Sequence, residues 1–507
     1  MFELKNLSKY FGEVVANEDI SLTINEGEIL ALLGENGSGK TTLMNMLAGL
    51  YYPDRGQIFL NGEEIVIKSP KDASSYGIGM IHQHFKLVDL LTAAENVILG
   101  LNKGFFLDME KVEQEIKEVG EMYGFDIDPK KKVYNMTVSE KQSLEIIKVL
   151  YRGANLLILD EPTAVLTPQE TKQLFKALRK LKERGKAIVL ITHKMNEVLG
   201  VSDSIAVLRK GKLVKRLATK DANELMLAEL MVGEKVSLNI KRSKVKDPVL
   251  RLEIRDLSVK NQYGKMVLDN VSFDAYGGEI LGIAGISGSG QKELLEAIAG
   301  LQGTQKGSDI TYYHPKHNEI KLIGKSPFQI KRLGISLSFV PEDRLGMGLV
   351  GSMGMVDNVL LRTYDETPNF YKNRKRAKKI AKAIKEELAV STPSEETAVQ
   401  TLSGGNVQKV LVGREIANNP IVFMTAYAVR GLDINTSYVI YDILNKQKEA
   451  GVAVIYVGED LDVLLALSDK ILVLSNGKIS KPLDPKKVTK EEIGLLMTNK
   501  IEEELEK

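Results

Sequence analysis

The tetrapeptide Gly27-Glu28-Ile29-Leu30 returns as Gly278-Glu279-Ile280-Leu281, 251 positions later. Gly34 then matches Gly285, Gly37-Ser38-Gly39 matches Gly288-Ser289-Gly290, and Ala48-Gly49-Leu50 matches Ala299-Gly300-Leu301 at the same spacing. Further on, Ser202-Asp203 matches Ser468-Asp469 at a spacing of 266. A period this long excludes a solenoid; it implies two homologous domains with one net insertion of about fifteen residues between these landmarks. A chain of 507 residues is long enough for two large domains. The expected division is a first domain over 1–234, a linker over 235–248 and a second domain over 249–507. Lys241, Arg242, Lys244 and Lys246 interrupt the apolar periodicity before Pro248, which reads as a solvated linker rather than a nucleic-acid arm. The charged tail Ile501–Lys507 reads as a frayed helix end.

Charge and composition remove several function classes. Sixty-nine Lys and Arg against 67 Asp and Glu leave a net charge of +2, so there is no electrostatic footprint for nucleic acid. With no cysteine, disulfides, Cys-ligated zinc, iron–sulfur clusters and Cys nucleophiles are all excluded. The start, Met1-Phe2-Glu3-Leu4-Lys5, lacks the basic-then-apolar order of a signal peptide, and no apolar run approaches the roughly 18 residues that would span a bilayer. A membrane role is therefore expected to come through a partner.

Each half alternates short apolar runs (Ile29–Leu33, Leu156–Leu159, Ala187–Ile191) with longer helix-period segments. This predicts an α/β fold with a mostly parallel sheet covered by helices. After Lys40, residues Leu43, Met46, Leu47 and Leu50 follow the i, i+3, i+4, i+7 spacing of one buried helix face.

Between the first apolar run and that helix lies Gly34-Glu35-Asn36-Gly37-Ser38-Gly39-Lys40-Thr41-Thr42, a complete phosphate-binding loop. Its glycines let backbone N–H groups curl around phosphate oxygens, and the helix N-terminus adds partial positive charge. Lys40 is placed to reach the β/γ-phosphates and Thr41 to offer its hydroxyl to Mg²⁺. Downstream, Leu156-Leu157-Ile158-Leu159-Asp160-Glu161 is an apolar strand ending in two carboxylates. Alone it could be a solvated loop. After a phosphate loop, Asp160 reads as the metal-side acid and Glu161 as the general base for an attacking water. His193, at the end of the run Ala187–Ile191, could contact the γ-phosphate or be structural. His82 and His84 flank Gln83 at strand spacing, but no third metal ligand is visible.

The set formed by Gly34–Thr42, Gln83, Asp160-Glu161-Pro162-Thr163, Thr192-His193 and Leu402-Ser403-Gly404-Gly405-Asn406 resembles an ABC ATPase. The duplication resembles the tandem ATP-binding subunit of bacterial sugar and nucleoside importers over nearly the whole chain. Gly79–Phe85, Leu150–Ala154 and Pro162–Pro168 are most similar to the nucleoside, basic membrane lipoprotein-linked branch; Pro341-Glu342-Asp343-Arg344 is shared with the sugar branch. The resemblance implies ATP and Mg²⁺ as cofactors. It implies that Phe11 stacks on adenine, and that Gln83 sits in a loop that senses Mg²⁺ and meets the membrane subunit. It also implies that Ser403, Gly404, Gly405 and Asn406 clamp the γ-phosphate held by the other domain. The implied partners are two integral-membrane permease subunits and an extracytoplasmic solute-binding lipoprotein, with the chain peripheral on the cytoplasmic face of the membrane.

The two halves depart from that pattern in opposite ways. Gln291 stands where Lys40 does, with Lys292 one place along; Asp160, Glu161 and His193 correspond to Ala426, Tyr427 and Glu459. Conversely, Leu402–Asn406 is intact, whereas the first half has Met136-Thr137-Val138-Ser139-Glu140, in which Val138 adds bulk and Glu140 adds negative charge beside an anion. By resemblance, the intact loop of one half works with the intact signature of the other, leaving one complete site and one damaged on both faces. The damaged site is either empty or holds a structural nucleotide, for which Tyr263-Gly264 matches Phe11-Gly12. A ribose- or galactose-type sugar importer is the alternative within the class. A soluble tandem ABC protein acting on ribosomes is the alternative outside it, disfavoured because this chain has neither two intact sites nor a long charged linker.

Overall fold

In a computed structural model, the described residues are 1–82, 85–101, 108–164, 166–234, 240, 242–245, 247–261, 263–286, 288–316, 319–333, 337–340, 344–363 and 374–498. They form two compact units, Met1–Ser237 and Leu238–Lys507. The expected frayed tail Ile501–Lys507 lies outside the described residues.

The first unit is built on six strands: β1 (Ile29–Leu33), β2 (Ile78–Ile81), β3 (Leu156–Asp160), β4 (Ala187–Thr192), β5 (Ser204–Arg209) and β6 (Lys212–Ala218). Their order is β6-β5-β1-β4-β3-β2, parallel except for the β5–β6 hairpin. The second unit repeats this with β7 (Ile280–Ala284), β8 (Leu337–Val340), β9 (Val422–Ala426), β10 (Ala453–Val457), β11 (Lys470–Ser475) and β12 (Lys478–Ile479), in the order β12-β11-β7-β10-β9-β8. Each unit adds a four-stranded antiparallel sheet, led by Phe2–Phe11 and Val14–Ile24 in the first and by Val249–Lys260 and Met266–Gly277 in the second.

Strands buried on both faces read as unbroken apolar runs rather than alternating ones, and β1, β3 and β4 are buried throughout. Leu156 and Ile158 enter the core shared with the antiparallel sheet, while Leu157 and Leu159 enter the core under the helices. The helices that shape the site are α1 (Lys40–Leu47), α2 (Val138–Tyr151), α3 (Pro168–Glu183) and α4 (Met195–Val201). Their counterparts in the second unit are α5 (Gln291–Ile298), α6 (Gly404–Ile416), α7 (Ile434–Glu449) and α8 (Leu461–Leu467). Leu43, Met46 and Leu47 are fully buried as their spacing predicts, but Leu50 is exposed. The helix stops first, because Gly49 turns left-handed (φ 72°) against the Ser69 carbonyl, where a Cβ would come within 2.2 Å.

The stretch 235–248, read from sequence as a solvated linker, is partly attached. Ile240 packs on the second unit's core, Arg242 donates to the Ser468 carbonyl at 2.7 Å, and Lys448 donates to the Ser243 carbonyl at 2.6 Å. The anchor is a duplicated ion pair. In both units an aspartate accepts the first amide of the central strand, Asp203 from Ile29 and Asp469 from Ile280, and pairs with a lysine, Lys182 or Lys448. Lys182 and Asp203 are 34% and 39% exposed, whereas Lys448 and Asp469 are 1% and 10% exposed. Removing one partner of a buried pair strands the other charge, while a surface pair contributes little. Lys448→Ala is therefore expected to destabilise the second unit by about 3 kcal/mol. Lys182→Ala should cost the first unit less than about 1 kcal/mol, both read from urea unfolding of the full chain.

Candidate active site

The phosphate loop of the first unit follows directly from β1 and ends in α1. Gly39 caps α1 with φ 98°, and Gly37 is also left-handed at φ 79°. A Cβ on Gly34 would meet the Leu208 carbonyl and Ser38 Oγ at 2.4 Å; one on Gly39 would meet the Ala16 carbonyl at 2.3 Å. Only glycine fits a loop packed this closely. Asn36 and Gly37 are exposed at its rim, with Glu35 and Thr42 half-buried. Ser38 Oγ is buried without a protein partner among the described residues. Lys40 curls back over the loop, donating to the Gly34 carbonyl at 2.7 Å and the Glu35 carbonyl at 2.8 Å. Burial pushes its ammonium pKa down, opposed by the charges of Glu161, Asp160 and Glu35.

The parallel pairing of β3 with β1's neighbour β4 delivers Asp160 beside Thr41, whose hydroxyl donates to Asp160 Oδ2 at 3.3 Å. Glu161 follows in a left-handed turn (φ 46°), its amide bonded to the Ile191 carbonyl at 2.9 Å. His193 Nδ1 stands 2.9 Å from Glu161 Oε1. Two adjacent carboxylates are thereby driven apart in character. Burial, reinforced by Glu161, raises the Asp160 pKa. The His193 hydrogen bond lowers that of Glu161 against the effect of burial, helped by the charges of His193, Lys40 and Lys194. Lys40, Thr41, Asp160, Glu161 and His193, far apart in sequence, thus converge. Phe11 lies on an exposed rim, edge-on to Tyr51 at 5.2 Å, with Lys9 Nζ 5.6 Å from its ring centre.

Gln83 and His84 lie outside the described residues, as do Pro341, Glu342 and Asp343. His82 is half-buried, its pKa lowered first by burial, and lines a cavity of about 180 Å³ with Gly79 and Arg152. Among the described residues no three His, Asp or Glu side chains gather as a metal cluster. The hard oxygen donors Thr41 Oγ1 and Asp160 suit Mg²⁺ in kind.

In the second unit the same backbone carries other side chains. Gly290 caps α5 at φ 108°, and Gln291, 2% exposed, donates to the Ile286 carbonyl at 2.9 Å, the counterpart of Lys40's bond to Glu35. Lys292 does not replace the missing cation: it is more than half exposed and reaches Glu296 at 3.9 Å. Tyr427 keeps the left-handed turn (φ 49°) and the amide bond, to Val457 at 2.9 Å, but is buried; Glu459 pairs with Arg430 at 3.5 Å. Tyr263, expected as a second adenine platform, is 84% exposed.

Ser403 caps α6, accepting from the Asn406 amide nitrogen Nδ2 at 2.9 Å, and Asn406 Oδ1 accepts the Ser391 N–H at 2.9 Å. A Cβ on Gly405 would lie 3.1 Å from Thr436 Oγ1 and 3.2 Å from Asp433 Oδ2; Gly404 faces Arg344. The first unit's Glu140, read from sequence only as a charge opposing an anion, has a structural task. It completes a capping box with Thr137 on α2 and pairs with Lys131 at 2.7 Å. The Thr137-x-x-Glu140 spacing announces that box in the sequence. Of the residues that stand behind Glu161, Thr163 belongs to the Asp160-Glu161-Pro162-Thr163 motif but has no role assigned there, and no motif singles out Lys194 or Glu197.

A family model described as "ABC transporter" matches residues 17–164 and 268–425, covering both phosphate loops, β3 and all of β9 but its last residue. The chain belongs to the ABC transporter family. It is 41% identical to the guanosine import ATP-binding protein NupO of Bacillus subtilis, over 99% of this chain and 98% of that one. It is 39% identical to the nucleoside import ATP-binding protein NupA of Lactococcus lactis, over 98% of each. It is also 36% identical to the ribose import ATP-binding protein RbsA of Clostridium tetani, over 97% and 96%. As a member of this family the chain is an ATPase coupled to transport. Among the described residues no helix is long and apolar enough to cross a membrane.

Gly34→Ala is expected to abolish ATP binding because its Cβ meets main chain. Gly37→Ala has open space around it and only the left-handed strain of about 1 kcal/mol, so it should weaken binding by less than about tenfold. Equilibrium binding of a fluorescent ATP analogue to both variants distinguishes the two.

Proposed function

We propose that the chain drives a nucleoside importer by hydrolysing ATP at the first unit's loop alone. The observation that carries this is the paired comparison within one molecule: Lys40, Asp160, Glu161 and His193 converge in the first unit, where the second has Gln291, Ala426, Tyr427 and Glu459. In this reading the amides of Gly34–Thr42 and Lys40 bind the phosphates of ATP, and Phe11 stacks on adenine. Mg²⁺, held by Thr41 and Asp160 with Gln83, supplies charge neutralisation at the phosphates. Glu161, kept ionised by His193, accepts the proton of the attacking water; His193 holds the carboxylate in place and faces the γ-phosphate. By the family resemblance, Ser403, Gly404, Gly405 and Asn406 would serve the γ-phosphate, Ser403 capping the N-terminus of α6. By the same resemblance, the damaged counterpart would draw on the second unit's loop, which has Gln291, and the first unit's signature stretch, which has Glu140.

Closure on ATP and reopening after hydrolysis are passed to two membrane permease subunits, fed by an extracytoplasmic solute-binding lipoprotein, with the chain at the cytoplasmic face. Nucleosides are favoured as the solute because Gly79–Phe85, Leu150–Ala154 and Pro162–Pro168 are most similar to the nucleoside branch and the NupO relative stands at 41% identity. NupA and a glucose import ATP-binding protein of Haloferax volcanii are each 39% identical, so identity alone does not separate nucleoside from sugar. A sugar importer is the second reading.

Glu161→Gln should lower ATP hydrolysis by at least about 100-fold with ATP still bound, and Gln291→Ala should leave it within about twofold. In cells relying on this chain, Glu161→Gln is expected to stop uptake of labelled guanosine while ribose and galactose uptake continue. Loss of sugar uptake instead would move the assignment to the second reading.

A further inference from the structure

Behind the Glu161–His193 pair lies a polar cluster of Thr163, Lys194 and Glu197, of which the family motifs contain Thr163 without giving it a role. The Thr163 hydroxyl donates to Glu197 Oε2 at 2.5 Å. Lys194 Nζ lies 3.1 Å from Glu197 Oε1 and donates to the Thr163 carbonyl at 3.4 Å. Thr163 is 2% exposed and is thus gripped at both side chain and main chain. It sits two residues after Glu161, in a turn where the Ala164 amide bonds the Glu161 carbonyl at 3.2 Å and the Leu166 amide bonds that of Thr163 at 3.3 Å. Lys194 directly follows His193, and its own amide is bonded to Thr192 Oγ1 at 3.0 Å. The contacts close a ring: Glu161 to His193 through the imidazole, and back from Lys194 through Glu197 to Thr163.

The second unit shows what the fold needs at this place. The counterparts of Thr163, Lys194 and Glu197 are Val429, Asp460 and Val463. Val429 and Val463 both join the apolar shell of the second unit's core, and Asp460 instead caps α8. The turn is nevertheless retained, with Arg430 N–H to Tyr427 at 3.0 Å and Leu432 N–H to Val429 at 3.1 Å. Valines at two of these positions are therefore compatible with the turn, and the polar ring occurs only beside Asp160, Glu161 and His193. Thr163 is buried, and Glu197 and Lys194 are partly buried around it. A polar cluster placed where valines serve the turn in the other unit points to a role in the reaction.

We propose that Thr163, Lys194 and Glu197 are positioning residues that hold the Glu161 carboxylate and the His193 ring in register for hydrolysis. This rests on Glu161 acting on the attacking water, as argued above. A displacement near 1 Å at a reacting group costs up to about 100-fold in rate. Breaking the grip on Thr163 therefore lowers kcat without touching the loop that binds ATP.

The test uses the purified full chain, with ATP hydrolysis and ATP binding measured separately. Thr163→Val is expected to lower kcat by about tenfold with KM for ATP within about twofold, and Thr163→Ser should restore kcat. The double variant Thr163→Val/Glu197→Val, which installs the second unit's pair, should keep the wild-type melting temperature within a few degrees while kcat stays low. Glu161→Gln is the reference. If Glu161→Gln is inactive and Thr163→Val hydrolyses ATP at the wild-type rate, the positioning role is overturned. It is overturned also if kcat and ATP affinity fall together with the melting temperature and Thr163→Ser does not rescue. If Glu161→Gln itself hydrolyses normally, the role of Glu161 fails, and the triad's with it.

Discussion

The amide of Glu161 bonded to the carbonyl of Ile191 is the contact on which the rest of the site depends. It extends the β3–β4 pairing by one residue beyond Asp160 and then turns the chain left-handed, so that two consecutive carboxylates leave the strand in different directions. Asp160 turns toward Thr41 and the phosphate loop; Glu161 turns toward His193 at the end of the neighbouring strand. Without that turn, alternation along a strand would send the two side chains to opposite faces of the sheet. A left-handed glutamate is an unusual conformation, and the hydrogen bonds on either side of it hold it there.

The second unit separates this backbone from its chemistry. Tyr427 adopts the same turn with the same amide bond, so the geometry is a property of the sheet edge and not of the carboxylate. Gln291 likewise occupies the place of Lys40 and bonds the equivalent carbonyl. A neutral amide satisfies that carbonyl as well as an ammonium does, but carries no charge to a phosphate. Each replacement keeps the backbone contact and changes the side chain's chemistry, which explains how the two halves of a duplicated chain can carry different side chains at these places and still build the same two sheets.

Some of this was legible residue by residue. The phosphate loop is contiguous, and its glycines carry their own backbone requirements; Asp160 and Glu161 end an apolar run, and His193 ends another. The capping role of Glu140 was also legible in the Thr137-x-x-Glu140 spacing, although the family comparison drew attention to its charge alone. Other features depend on contacts distant in sequence. Leu50 continues the helical period of α1, but Gly49 ends the helix against a carbonyl 20 residues away. Ser243 and Lys448 are 205 residues apart, and the basic stretch around Ser243 has the composition of a free linker.

The sequence by itself determined the duplication, the α/β class, the phosphate loop and the asymmetry between the halves, because each of these is written in contiguous motifs or in fixed offsets between them. Tertiary structure alone decided which polar groups meet. Thr163 and Glu197 bond only because the turn after β3 and the helix α4 after β4 leave two paired parallel strands at the same end of the sheet. Lys448 is buried and Lys182 about one-third exposed, although the two are equivalent in the repeat; Lys448 alone is met by a distant stretch of chain, through the Ser243 carbonyl. Burial and proximity are properties of packed elements, and they set the energies of these polar groups, so the same residue pair is an anchor in one unit and a surface contact in the other.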